Sequence, residues 1–172
     1  MTAVTVTYSN LFSQSWQNVY DLINNKTNVV DPTTSSSEFR KWIYTREPDG
    51  KSLDFADFPF IVIYPGSVNS GVGRMSLKGN ARMVTFRFDI DVITSDREFN
   101  NREGRGATDC DNLSDDIIQT LNNLTNRNTL SGNNLFNVDV EGGSPVIEPF
   151  KEVLTYRRTF SVSLSTRMKV SA

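Results

Sequence analysis

The sequence predicts an α+β fold of two layers: a largely antiparallel sheet of about four to five strands, with two helices packed on one face. Three observations predict it. Val84, Phe86, Phe88, Ile90 and Val92 alternate with Thr85, Arg87, Asp89 and Asp91, a period of two that marks a strand with one buried face. Phe12, Trp16, Val19, Tyr20 and Ile23 fall on one helical stripe, and Leu113, Ile117, Leu121 and Leu124, widened by Ile118, form a second. Strands with one apolar and one polar face belong to antiparallel sheets, and two amphipathic helices suffice to cover the apolar side.

In chain order, the first helix runs from Leu11 to Lys26, with Ser9 and Asn10 able to cap its start and Lys26 suited to the negative end of its dipole. Asp31 to Ser37, with Pro32 and three successive serines, reads as a polar linker. Phe39 to Thr45 reads as a short strand, and Glu47-Pro48-Asp49-Gly50 as a turn in which proline sets φ and glycine takes the reversed dihedral. Phe60 to Tyr64 is a continuous apolar run cut by Pro65-Gly66. It is too short for a helix and rich in β-branched residues, so it is a buried strand. Ser67 to Asn80, with Gly71, Gly73 and Gly79, is a long connection expected to be mobile in an isolated subunit. The alternating strand follows, and Thr94 to Ala107 is a second polar loop of the same kind. The second helix begins near Thr108, where Asp111 three residues on approximates a capping box. Phe136, Val138 and Val140 alternate with Asn137, Asp139 and Glu141. Gly142 to Pro149 turns the chain, and Leu154 to Ser165 alternates as a closing strand, with Arg158 an exception on its apolar side.

The length of 172 residues fits one domain, residues 1–172, large enough to bury a core unaided. Net charge is −2, so the whole chain lacks a nucleic-acid footprint. One cysteine excludes an intrachain disulfide and suits a reducing compartment. No apolar run is long enough to cross a bilayer as a helix, and Met1 to Ser9 lacks the order of a secretion signal.

There is no histidine, which removes the commonest general base and metal ligand and every Ser-His-Asp or Cys-His arrangement. Cys110 is crowded by Asp109, Asp111, Asp115 and Asp116, whose charges oppose a reactive thiolate, although a helix start favours one. The same acidic cluster lacks the spacing of a calcium loop and is better explained by the helix dipole. Asp89 and Asp91 share one side of a strand, a conceivable carboxylate pair, but a solvated or interfacial strand face is far more common. Gly71-Val72-Gly73 and Gly104-Arg105-Gly106 lack the sequel of a phosphate loop. Arg97, Arg102 and Arg105 have only Phe99 as an aromatic neighbour, so a protein contact suits them better than nucleic acid. The reading is therefore of a chain that is not an enzyme and needs no cofactor or metal.

Several textures together resemble the tail terminator proteins of long-tailed bacteriophages: the opening helix with Phe12, Trp16 and Tyr20, the strand from Pro59 to Gly66, the long strand Val84 to Ile93 leading to Asp111-Asn-Leu-Ser-Asp-Asp-Ile-Ile118, and the closing Tyr156-Arg-Arg-Thr-Phe-Ser-Val-Ser-Leu164. The resemblance spans about residues 10 to 168. It implies a virion protein, assembled in the host cytoplasm, that forms a ring, usually a hexamer, at the head-proximal end of the tail tube. The ring would end tube polymerisation and offer a joining surface to a head-completion, stopper or connector protein. Double-stranded DNA would pass through its bore without specific binding, and no membrane is involved. On that reading Arg87, Asp89, Asp91, Arg97, Arg102 and Arg105 are candidates for the contact between subunits, and Asp139 and Glu141 for the bore. The alternatives are another neck protein such as a stopper, a small α+β domain that binds a ligand or nucleic acid, and an enzyme built on Asp89 and Asp91.

Overall fold

The computed structural model describes residues 11–25, 28–32, 40–54, 57–69, 81–96, 105–123, 135–151 and 153–169. The expected caps Ser9 and Asn10, Lys26, the serine run, Gly71, Gly73, Gly79, Arg97, Arg102 and Leu124 lie outside them. In chain order the elements are helix α1 (Leu11–Ile23), strands β1 (Ile43–Tyr44), β2 (Phe60–Asn69) and β3 (Ala81–Ser95), helix α2 (Gly106–Asn122), and strands β4 (Leu135–Gly142), β5 (Val146–Phe150) and β6 (Val153–Lys169). The fold is α+β. Its open sheet has six strands in the order β1-β2-β3-β6-β4, with β5 also on β6, and every pairing except β1 with β2 is antiparallel.

The centre of the sheet is the β3–β6 ladder, which pairs Ala81 with Lys169 through to Ser95 with Thr155 without a break in register. The strict alternation in β3 explains this, since a slip of one residue would turn Phe86, Phe88 and Ile90 to water. Those side chains meet Val162, Phe160 and Leu164 of β6, Leu113, Ile117 and Leu121 of α2, and Val19, Leu22 and Ile23 of α1 in one buried cluster. Trp16 and Tyr20, expected in the centre, stack at 5.4 Å between ring centroids on its rim, while the buried stripe of α1 is Ser15, Asn18, Val19, Leu22 and Ile23. The larger aromatic rings cover the edge of the core, and the slimmer stripe takes the closest approach to the sheet.

The sheet has a second, smaller core on its opposite face, which the expectation of a single apolar face did not include. Phe60 and Val62 turn there with Ile93, and Leu53 and Phe58 from the segment before β2 close over them. Phe150 of β5 reaches the same cluster, 5.3 Å from the Phe58 ring. Ile61 and Ile63 face the main core. Both faces of β2 are thus buried at this end, the physical reason for its unbroken apolar run.

Local departures from expectation have identifiable causes. Of the strand expected over 39–45, Phe39 lies outside the described residues and only Ile43–Tyr44 pair as β1; Arg40 before them bonds both Asp31 carboxylate oxygens, at 2.6 and 3.1 Å, and the carbonyls of Asp57 and Pro59. β2 continues beyond Tyr64 to Asn69 through an irregularity at Pro65-Gly66, so Ser67 to Asn69 are strand rather than loop. A Cβ on Gly66 would sit 1.2 Å from the Arg87 carbonyl oxygen, so glycine alone admits this crossing. Thr94 and Ser95 belong to β3, and Gly106 and Ala107 to α2.

Gly142 to Pro149 does not turn the chain. Gly142 pairs with Phe160 and Val146 with Arg157, so one extra residue is accommodated as a bulge and the chain runs on along β6 as β5. The reversal comes afterwards, beside Lys151 at φ 53°. Glycine and proline there mark a bulge and an edge strand, where a missing N–H costs no ladder bond.

Candidate functional site

The polar face of β3, β6 and β4 carries five of the six described candidates for a subunit contact or bore, all but Arg105. Thr85, Arg87, Asp89 and Asp91 come from β3, Thr159, Ser161, Ser163 and Ser165 from β6, and Asp139 and Glu141 from β4. The alternation that buries Phe86, Phe88, Val138 and Val162 sends all of these to the other side. Cross-strand neighbours satisfy one another: Thr85 and Ser165 hydroxyls lie 3.0 Å apart, and Ser161 donates to Asp89.

Arg87 reaches Glu141 at 3.5 Å, with both side chains exposed. Arg87, expected at a subunit contact, and Glu141, expected in a bore, therefore meet on one continuous surface of the chain. A pair this long and this wet is worth a few tenths of a kcal/mol at most. Arg87 and Glu141 thus stand together on this face, with Asp89 and Asp139 exposed near them.

Asp91 is not available to a contact between copies, contrary to its selection as an interface residue. Only 4% exposed, it lies where the second core begins to cover the polar face. Tyr64 donates to one of its oxygens at 3.2 Å and Thr159 to the other at 2.6 Å. The Arg157 guanidinium, which also pairs with Glu47, stands 3.9 Å away. Burial, then the Asp91 charge, pushes the Tyr64 phenol well above its ordinary pKa, so the phenol keeps the proton it donates. Asp89 and Asp91 thus sit in different surroundings, one on the open face and one locked beneath it. An acid–base pair acting across a bound substrate needs both carboxyls open to one cleft.

The other selected groups fall apart from this face. Arg105 is exposed at the start of α2 and forms no side-chain cap. The cap expected from Thr108 and Asp111 is supplied from β3 instead: Asp96 accepts the Gly106 N–H at 3.0 Å and the Tyr156 hydroxyl at 2.6 Å, and Thr94 donates to the Gly106 carbonyl at 2.6 Å. Asp111 pairs with Arg158, which explains a cation on the helix-covered side of β6. Cys110 is buried, and burial pushes its thiol above its ordinary range, with Arg158 opposing and Asp111 adding to the shift. It contacts the carbonyls of Val92 and Tyr156 as a packing residue.

Among the described residues no three His, Cys, Asp or Glu side chains are grouped to hold a metal ion, and no helix is long and apolar enough to cross a membrane. No protein-family model matches the chain, and no curated protein matches its sequence.

Proposed function

We propose that the chain is a ring-forming structural protein of a bacteriophage tail, placed at the head-proximal end of the tube, where it ends polymerisation and presents a joining surface to the neck. The observation that carries the reading is the polar face of the sheet. Two helices cover one side of β3, β6 and β4, while the upper part of the other side, from Thr85 to Asp89 and from Asp139 to Glu141, is overlaid by no described element. Its only described cation, Arg87, is met by Glu141, and Asp89 and Asp139 are exposed beside them. With the helices outward and this face inward, a ring would present hydroxyls and carboxylates to its bore. Among the described side chains of this upper part no cluster of lysine or arginine is offered to DNA phosphates, as a conduit requires. The resemblance of the sequence to tail terminator proteins points the same way, and the self, tube-protein and neck contacts follow from it.

The test is tail assembly with and without the protein. Tube subunits polymerised alone should run to indefinite lengths, and adding the protein should fix the length and leave a ring visible at one end. Tubes unchanged in length, with no protein bound at either end, would reject this role.

A further inference from the structure

We propose that copies of this chain join edge to edge, the outer edge of β4 on one copy pairing antiparallel with the outer edge of β2 on the next, so that one sheet runs unbroken around the ring. The inference rests on the ring reading above and names its seam.

The sheet is open, and its two edges differ between its halves. In the half nearest β5 both edges are protected. β1 lies against Ile61 and Val62 on one side, with the Ile61 N–H bonded to the Trp42 carbonyl. On the other side β5 carries Pro149. Gly143 donates to the Thr159 carbonyl and Asp96 to the Leu154 carbonyl, which fixes the alternation along β6. Val146 and Glu148 then bond to β6, and Ile147 and Pro149 turn outward, where Pro149 has no N–H to offer. Proline on an outer edge is a device against strand addition.

In the other half no described element lies against either edge, and the protection is limited to Pro65 with the irregularity beside it in β2 and a bulge at the start of β4. By the same alternation, β4 turns the N–H and C=O of Val138, Val140 and Gly142 outward, with no proline from Leu135 to Gly142. Across the sheet β2 passes beyond β1 at Ile63 and continues, past Pro65 and the irregularity there, to Asn69 with no further partner among the described residues, so its usable edge is the stretch after the irregularity. Ser67 and Asn69 oppose Arg87 and Thr85, so Val68 turns its backbone outward.

These two open stretches stand at one level and have matching polarity. Tyr64 and Asn69 of β2 oppose Asp89 and Thr85 of β3, which oppose Ser161 and Ser165 of β6, which oppose Glu141 and Asn137 of β4. Four strands alternating in direction make β4 run opposite to β2. A second copy related by rotation about an axis along the strands therefore brings β2 antiparallel to β4, continuing the alternation. Two different edges of one chain make a heterologous contact, the kind that closes into a ring. The helices stay on one side of every copy and the polar face on the other.

The test uses the full chain and two single substitutions, Val140→Pro and Val68→Pro, each deleting an N–H that points away from the parent sheet. By sedimentation and native mass spectrometry the unaltered protein should form rings. Each variant alone should need about tenfold or more higher concentration to assemble, the loss of strand hydrogen bonds at every seam. Mixed together, the variants retain one intact β2 edge and one intact β4 edge, so they should give a heterodimer that does not grow. That dimer also shows both variants to be folded. Independently, backbone amides of residues 63–69 and 135–142 should exchange more slowly in the ring than in dilute subunits. Rings whose 63–69 and 135–142 amides stay unprotected, or rings that persist in either variant, would overturn the edge-to-edge seam and leave the ring itself standing. A chain that remains monomeric at every concentration would remove the ring and this inference together.

Discussion

Replacing Asp91 by alanine should cost far more than replacing its neighbour Asp89, although both lie on the same side of β3. The Asp91 carboxylate is 4% exposed and holds the Tyr64 hydroxyl at 3.2 Å and the Thr159 hydroxyl at 2.6 Å, with the Arg157 guanidinium at 3.9 Å. Deleting it strands two donors, at about 1–3 kcal/mol for each group that water cannot reach. Arg157 keeps Glu47, and the Tyr64 hydroxyl, half-buried, regains some hydration, so the expected loss is about 2–4 kcal/mol. In a chain of this size that lowers the thermal midpoint by roughly 5–15 °C. Asp91→Asn, which still accepts from Thr159, should lose about 1 kcal/mol. Asp89→Ala, on the exposed face, should stay within about 0.5 kcal/mol of the parent. Urea unfolding followed by circular dichroism at one fixed protein concentration measures all three, since assembly would otherwise shift the midpoint. Equal losses for Asp89→Ala and Asp91→Ala would refute the enclosure of Asp91 by Tyr64, Thr159 and Arg157.

Phe88→Ala, which empties a site 3% exposed at the heart of the main core, should cost about 3–5 kcal/mol in the same assay; an unchanged midpoint would mean that β3 buries its other face. Gly66→Ala should destabilise by about 2 kcal/mol or more, because its Cβ would overlap the Arg87 carbonyl; a neutral result would show that β2 does not cross there as described. Tyr44, Tyr64 and Tyr156 all have phenol pKa values raised above 10.0, by burial first in Tyr44 and Tyr64 and by the hydrogen bond to Asp96 first in Tyr156. Above pH 10 the unfolded chain releases these protons before the native one, so stability should be intact below that pH and fall as pH rises through the native values. Ultraviolet titration should show Tyr44, Tyr64 and Tyr156 ionising late or only on unfolding; their ionisation near pH 10 in the native protein would contradict it.

Local periodicity carried the parts of the fold that depend on local chemistry. The alternation of Val84 to Val92 is the spine of the sheet, and Leu113, Ile117 and Leu121 bury the stripe their spacing implies. What stayed illegible depends on residues distant in sequence. The N-terminus of α2 is capped by Asp96, 10 residues before Gly106, so no nearby Ser, Thr or Asp could announce it. β5 was hidden because Pro145 and Pro149 signal a turn, whereas an outer edge tolerates them; Val146, Ile147 and Phe150 were the overlooked strand signal. Period two correctly placed Asp89 and Asp91 on one face. It is blind to what lies above that face, where Tyr64, Thr159 and Arg157 enclose Asp91 and leave Asp89 exposed.

The central claim is that this chain works as a ring, and negative-stain electron microscopy of the purified protein, paired with its mass by light scattering, tests it most directly. The account predicts a single closed oligomer, with end views showing a central hole wide enough for a DNA duplex and a rim to which tail tubes attach end-on. A protein that stays monomeric at high concentration, and remains so when tail tubes are present, would contradict it.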